Sequence, residues 1–245
     1  MERVRFPANP CRSGAVNDEW RVIDDEEVDE GTLQLLQRGE REFEIPLNHF
    51  TLMTSESNFS ELELGRVPCS MIGNRNNPQV LLAGLGMGYT LRSALDALPL
   101  DARVEVVELN TVIAYWCRGP LAILTDHALD DPRVKLTFGD VSERIRAVSE
   151  SPEGFDAIIL DLYQGTFDAN DDSNHPHYGR AALERARRAL APGGIFAVWT
   201  EEADGGFENR LRSVGFEFEA LRPELEGPQH IVYLAQDPNH RRPAG

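Results

Sequence analysis

LLAGLGMGYT, residues Leu81 to Thr90, sets the reading of the whole chain. Val80 to Ala83 is an apolar run suited to a buried parallel strand. Gly84, Gly86 and Gly88 follow at alternate positions, and Thr90 to Leu95 has a helical pattern. Strand, glycine loop and helix in that order make a turn where a ligand can rest on bare backbone, facing the N–H groups of a helix start. The same glycines also suit an ordinary tight turn, so the surroundings decide.

Downstream, strands and helices alternate. Arg103 to Glu108 is a second strand ending in an acid, followed by a helix from Thr111 to Arg118. Arg133 to Thr137 is a third strand, with Gly139, Asp140 and a helix from Ser142 to Val148 after it. Phe155 to Leu160 is a fourth, closing on Asp161. An amphipathic helix, Arg180 to Leu190, is turned by Pro192, Gly193 and Gly194 into a fifth strand, Ile195 to Trp199. A last helix, Glu208 to Ser213, precedes an antiparallel pair, Gly215 to Leu221 with His230 to Ala235. This order specifies an α/β fold: a doubly wound, mostly parallel, seven-stranded Rossmann-like sheet. The closing pair marks the methyltransferase version of that sheet rather than that of nicotinamide dehydrogenases.

Upstream, residues 1–19 carry Pro7, Pro10 and Gly14 with few apolar residues, and read as a flexible arm. Four short strands follow: Trp20 to Ile23, Thr32 to Leu36, Glu42 to Leu47 and Phe50 to Met53. Arg38-Gly39-Glu40 is a hairpin signal between two of them, giving a small antiparallel β unit. Ser57 then caps a helix through Phe59, Leu62 and Met71, which Pro68 kinks or splits. The expected division is an arm (1–19), the β unit with its linking helix (20–78) and a ligand-binding domain (79–245).

Charge narrows the function classes. The 24 basic and 41 acidic side chains leave a net −17, which argues against nucleic acid or an anionic membrane as partner. It suits a cationic small substrate, or simply solubility. Two acidic runs, Asp24 to Glu30 and Asp168 to Asp172, read as solvated loops. No apolar run approaches the ~20 residues of a membrane span, and the N-terminus has no signal-peptide core. Cys11, Cys69 and Cys117 are too scattered for a metal pattern and read as reduced thiols of a cytoplasmic protein.

Ligands of such sheets bind beyond the carboxyl ends of the strands, beside the first. Gly84, Leu85, Gly86, Met87 and Gly88 would cup the ligand there. Glu108, with Leu109 after it, comes about 20 residues past Gly88, the spacing at which a carboxylate takes both ribose hydroxyls. Asp140, between Gly139 and Val141, suits an adenine amine and equally an N-cap. Asp161 would lie deepest, against a transferred group or its acceptor, with Tyr163 and Gln164 beside it. The loop lacks the third glycine of G-x-G-x-x-G and places Met87 and Tyr89 where a pyrophosphate needs close approach. An adenosine with a sulfonium tail has no phosphate, so the ligand is read as S-adenosylmethionine or a close relative. Nothing calls for a metal: His175-Pro176-His177 with Asp171 and Asp172 reads as a lid over the acceptor pocket. Trp116 and Trp199 read as packing residues and His49 as a structural residue in a strand.

From Ser57 to Trp199 the chain resembles the polyamine aminopropyltransferases, the spermidine and spermine synthases. The likeness rests on Ser60-Glu61 ahead of the domain and on VLLAGLGMG, VEVVELN, DDPRVKLTFGDV, FDAIILD and HYGRAALERARRALAPGGIFAVW. It implies binding of decarboxylated S-adenosylmethionine, transfer of its aminopropyl group to a diamine such as putrescine, and a homodimer paired through the N-terminal β unit. Three positions depart from the family pattern. Met87 replaces the loop acid that holds the donor's ammonium, and Gln164 replaces the second acid of Asp-x-x-Asp-Pro. Phe59-Ser60-Glu61 replaces the Tyr-His-Glu that helps hold the polyamine. A buried ammonium needs a paired carboxylate, whereas S-adenosylmethionine carries its own. The sequence therefore leans towards methyl transfer to a small-molecule acceptor, an amine among the candidates, with Asp161 at the acceptor side and Ser60 and Glu61 as substrate contacts. Aminopropyl transfer and a non-catalytic nucleoside-binding module are the alternatives.

Overall fold

In a computed structural model, residues 19–163, 166, 174–224 and 230–240 are described. The arm up to residue 18 and the 168–172 acidic run lie outside them. Four N-terminal strands, β1 (Arg21–Val28), β2 (Gly31–Arg38), β3 (Glu42–Leu47) and β4 (Phe50–Thr54), form an antiparallel sheet in chain order. Alternate residues Leu33, Leu35, Phe43 and Ile45 bury one face, as a period of two requires.

The first acidic run is not the expected loop, because most of it is β1. That strand is an edge, so its backbone pairs with β2 on one side while Asp25, Glu26 and Glu27 remain in water. Asp24 is the exception. Its Oδ2 accepts a 2.7 Å hydrogen bond from the indole Nε1 of Trp116, a buried residue of the larger domain. A hydrogen bond to a charged group contributes roughly 1.5–3 kcal/mol, so Trp116→Phe is expected to lower unfolding free energy by about that much, read as a lower urea midpoint.

Helix α1 (Phe59–Ile72) begins after Asn58, not Ser57, and runs unbroken through Pro68. Its continuity has a packing cause. Gly65 lies so close to α2 (Tyr89–Ala97) that a Cβ there would stand 2.3 Å from the Thr90 carbonyl oxygen. Leu64, Pro68, Cys69 and Ile72 are buried along the same helix.

The large sheet contains β5 (Gln79–Ala83), β6 (Arg103–Glu108), β7 (Val134–Phe138), β8 (Phe155–Leu160), β9 (Leu190–Thr200), β10 (Glu217–Leu221) and β11 (Ile231–Gln236). Their order is β10-β11-β9-β8-β5-β6-β7, parallel except for β11, which runs antiparallel to both neighbours. Helices α3 (Thr111–Arg118), α4 (Val141–Ser149), α5 (Arg180–Ala189) and α6 (Gly205–Ser213) complete the α/β alternation. Val80 and Leu82 face one core and Leu81 and Ala83 the other, so β5 is covered on both sides. Pro192, Gly193 and Gly194 do not form a separate turn; they lie within β9, where the register with β8 shifts between Phe155 and Ala157. Strand order reverses at β5, which opens a crevice beyond its carboxyl end. Among the described residues no helix is long and apolar enough to cross a membrane.

Candidate functional site

The loop after β5 is shaped first by its own chain. Gly84, Gly86 and Gly88 all have positive φ, at 82°, 52° and 87°. At Gly84 the reason is a close approach: a Cβ would stand 2.1 Å from the carbonyl oxygen of Asp161. The Asp161 N–H in turn donates to the Ala83 carbonyl at 2.9 Å. The end of β8 is thereby pressed onto the start of the glycine loop. Beneath the loop the buried thiol of Cys117 donates to the Gly86 carbonyl at 3.2 Å, and burial pushes its pKa up to about 12.

Glu108 turns towards the loop. Its Oε2 accepts from the Leu85 N–H and its Oε1 from the Asn110 N–H, both at 2.8 Å. Burial raises the pKa of this carboxyl, while the N–H groups of Asn110, Leu85 and Leu109 pull the other way. Each oxygen retains a second lone pair, so two sugar hydroxyls can still be accepted. Asp140 is an N-cap, with Oδ1 accepting from the Ser142 N–H at 2.7 Å, and it also faces the cleft.

Asp161 is the most perturbed carboxyl of the group. Burial drives its pKa up to about 7, assisted by the charges of Glu61 and Glu108 and opposed by a hydrogen bond from Thr90. That bond, from the Thr90 hydroxyl to Asp161 Oδ2, is 2.6 Å long. A carboxyl that titrates near neutrality therefore lines the cavity.

One cleft of about 270 Å³ gathers these groups, close to the lower limit of roughly 300 Å³ for small-molecule pockets. Gly84, Leu85, Gly86, Met87, Gly88, Glu108, Leu109, Gly139, Asp140 and Val141 all line it, as do Glu61, Asp161 and Tyr163. Met87 is buried in the wall without blocking the cavity. Ser60 does not line the cleft: it is buried one residue behind, where its hydroxyl donates to Glu61 Oε2 at 2.6 Å. Gln164 lies outside the described residues, as do 171 and 172 of the expected lid.

Several lining residues escaped the sequence reading. Trp199 forms part of the cleft wall instead of serving only as packing, and its Nε1 has no hydrogen-bond partner. His177, read from the sequence as part of a lid over the acceptor pocket, also lines the cleft, and burial lowers its pKa. His175 is a turn residue whose Nδ1 accepts the backbone N–H groups of His177 and Tyr178. Glu30, Leu52 and Met53 reach the cleft from the N-terminal sheet. His49 is not in a strand; it occupies the exposed turn between β3 and β4. Ionisable residues around the cleft are Glu30, Glu61, Glu108, Asp140, Asp161, Tyr89, Tyr163 and His177, with no lysine or arginine among its described lining.

No family model matches the chain. A polyamine aminopropyltransferase of Mycobacterium tuberculosis is 33% identical over 123 residues, 49% of this chain and 22% of that protein. One from Streptomyces coelicolor is 32% identical over 128 residues, with shares of 51% and 22%. The chain thus spans about a fifth of the length of these curated relatives. Another, from Pyrobaculum calidifontis, is 30% identical over 132 residues, with shares of 51% and 42%. Among solved structures, spermidine synthase from Thermotoga maritima superimposes with a TM-score of 0.67 at 20% identity, covering 88% of this chain and 71% of that one. A spermidine synthase in complex with the transition-state analogue AdoDATO gives 0.66, with the same identity and coverage. This chain is accordingly similar in sequence to the polyamine aminopropyltransferases over about half its length, and it has the Rossmann-like fold of spermidine synthase.

Proposed function

We propose that this chain is a transferase that moves the aminopropyl group of decarboxylated S-adenosylmethionine onto a small aliphatic amine. The observation that carries this reading is the uniform sign of the cleft: five carboxyl groups and no described lysine or arginine. Donor and acceptor are both cations, and an ammonium leaving water needs such partners. The lean towards methyl transfer in the sequence rested on two lost acids. Glu61 and Asp161, the acids of the family pattern that this chain keeps, line the same cavity, and the names of the sequence relatives support the same choice.

In this reading Glu108 takes the ribose hydroxyls, Asp140 the adenine amine, and the 84–88 loop supports the nucleoside. Asp161 accepts a proton from the incoming ammonium, leaving a neutral amine. The nitrogen lone pair attacks the aminopropyl carbon bound to sulfur. The carbon–sulfur bond breaks, its electron pair stays on sulfur, and neutral methylthioadenosine leaves. Alignment contributes most of the acceleration, since the displacement needs only an in-line approach and a place for the proton. In the same reading Tyr163, an exposed residue of the cleft lining, meets the acceptor, and the protein is a homodimer paired through the N-terminal sheet.

The test is donor preference. With 1,4-diaminobutane as acceptor, release of methylthioadenosine from the decarboxylated donor should exceed any reaction of S-adenosylmethionine by roughly 100-fold, equivalent to ~2.8 kcal/mol for placing an extra carboxylate among these acids. The neutral, buried Met87 favours methyl transfer, as does the neutral Gln164 of the sequence. S-adenosylhomocysteine as the main product, with the decarboxylated donor inert, would establish that second reading.

A further inference from the structure

Behind the cleft lies a chain of polar groups that the proposed chemistry does not use. Ser60 Oγ is 2.6 Å from Glu61 Oε2 and 3.2 Å from Nδ1 of His230, the residue just before β11. The same Nδ1 is 2.9 Å from Oε1 of Glu224, a buried carboxylate. Donor and acceptor roles follow from this inventory. An ionised Glu224 can only accept, so the imidazole proton belongs on Nδ1, shared between Glu224 and the Ser60 oxygen. With an N–H directed at its lone pair, the Ser60 hydroxyl has its own proton left for Glu61. The imidazole also packs against Trp199, ring centroids 5.1 Å apart and tilted by 49°. Glu61 and Trp199 both line the cleft, whereas His230, Glu224 and Ser60 do not.

We infer that His230 is a positioning residue: held by Glu224, it orients the Ser60 hydroxyl and so fixes the Glu61 carboxylate, while bracing Trp199, in the geometry that receives the acceptor's ammonium. The helix α1 motif of the resembling family has a histidine where this chain has Ser60. Here an imidazole comes instead from the start of β11 and reaches Glu61 through a hydroxyl. The acceptor part of this inference rests on the function proposed above; the polar chain itself does not.

Two variants separate a donor role from mere bulk. His230→Phe keeps a ring against Trp199 and removes the N–H; His230→Asn keeps a donor close to the Nδ1 position. The expected result is a roughly tenfold rise in KM for 1,4-diaminobutane with His230→Phe, recovered largely by His230→Asn, while the decarboxylated donor binds unchanged. Ser60→Ala should match His230→Phe, and combining them should add little, because both break one connection. Equal effects of Phe and Asn, or full additivity with Ser60→Ala, would overturn the inference. A second readout needs no turnover. The nitrogen-15 resonance of His230 Nδ1 should move on Glu61→Gln, and that response should vanish in a Ser60→Ala background. Coupling of this kind in a protein inactive with every amine would sink the proposed function and keep the polar chain. An active enzyme without it would do the reverse.

Discussion

Asp161→Asn should lower kcat by about a thousandfold, within the 10²–10⁴ range for loss of a positioned proton acceptor, and leave donor affinity nearly unchanged. Asparagine keeps the size and can still accept from the Thr90 hydroxyl at the Oδ2 position, so only basicity is removed. The pH dependence follows from the same residue. Its pKa in the folded protein is about 7, above the ordinary 3.8, so the carboxylate needed as base accumulates as pH rises through neutrality. The kcat/KM profile should therefore climb through about pH 7, and that limb should be missing from the residual activity of Asp161→Asn. Stability moves in the opposite direction. With the folded pKa raised, the native state holds more protons than the unfolded chain between about pH 4 and pH 7, and stability falls as pH rises across that window. Urea titrations should show a flatter pH dependence for the variant. Full activity in Asp161→Asn, or a flat profile in the wild type, would remove Asp161 from the reaction.

Glu108→Gln should weaken donor binding by roughly 100-fold or more, because an amide cannot accept two sugar hydroxyls while also accepting two backbone N–H groups. One of the Leu85 and Asn110 N–H groups would then face an amide N–H in a buried setting. An unsatisfied buried donor costs about 1–3 kcal/mol, so unfolding free energy should drop by a similar amount. Calorimetry with methylthioadenosine, which has the ribose but no charged tail, isolates the sugar contact. Unchanged affinity in that titration would detach Glu108 from the ribose.

The half of the site built by the sheet was readable in the chain because its determinants are local. A buried strand, left-handed glycines and an acid at the next strand end each follow from residues within one β–loop–α unit, so Gly84 to Gly88, Glu108 and Asp161 could be placed by spacing. The other half depends on how distant segments pack. Leu52 and Met53 belong to a separate sheet and Glu30 to a turn between two of its strands, and only the seating of that sheet over the strand ends brings them to the cleft. Trp199 looked like a packing residue because an indole near a strand end gives no sign of which neighbour it lacks. The acidic run at β1 was misread for a related reason: charge density argues for water, and an edge strand satisfies that demand while still pairing its backbone. Pro68 inside α1 and the glycines inside β9 show tertiary contacts overriding local breakers.

The contact between Gly84 and the peptide of Asp161 has a practical outcome for anyone remodelling this protein. Mutational libraries aimed at changing the nucleoside would naturally randomise the loop, yet position 84 has no room for even a methyl group. Any side chain there would push on the backbone of Asp161, so in the proposed reaction a change intended for one substrate would disturb the handling of the other. Selectivity for donor and acceptor should consequently be hard to evolve separately from this end of the cleft, and the N-terminal sheet, which touches neither strand end covalently, is the freer place to begin.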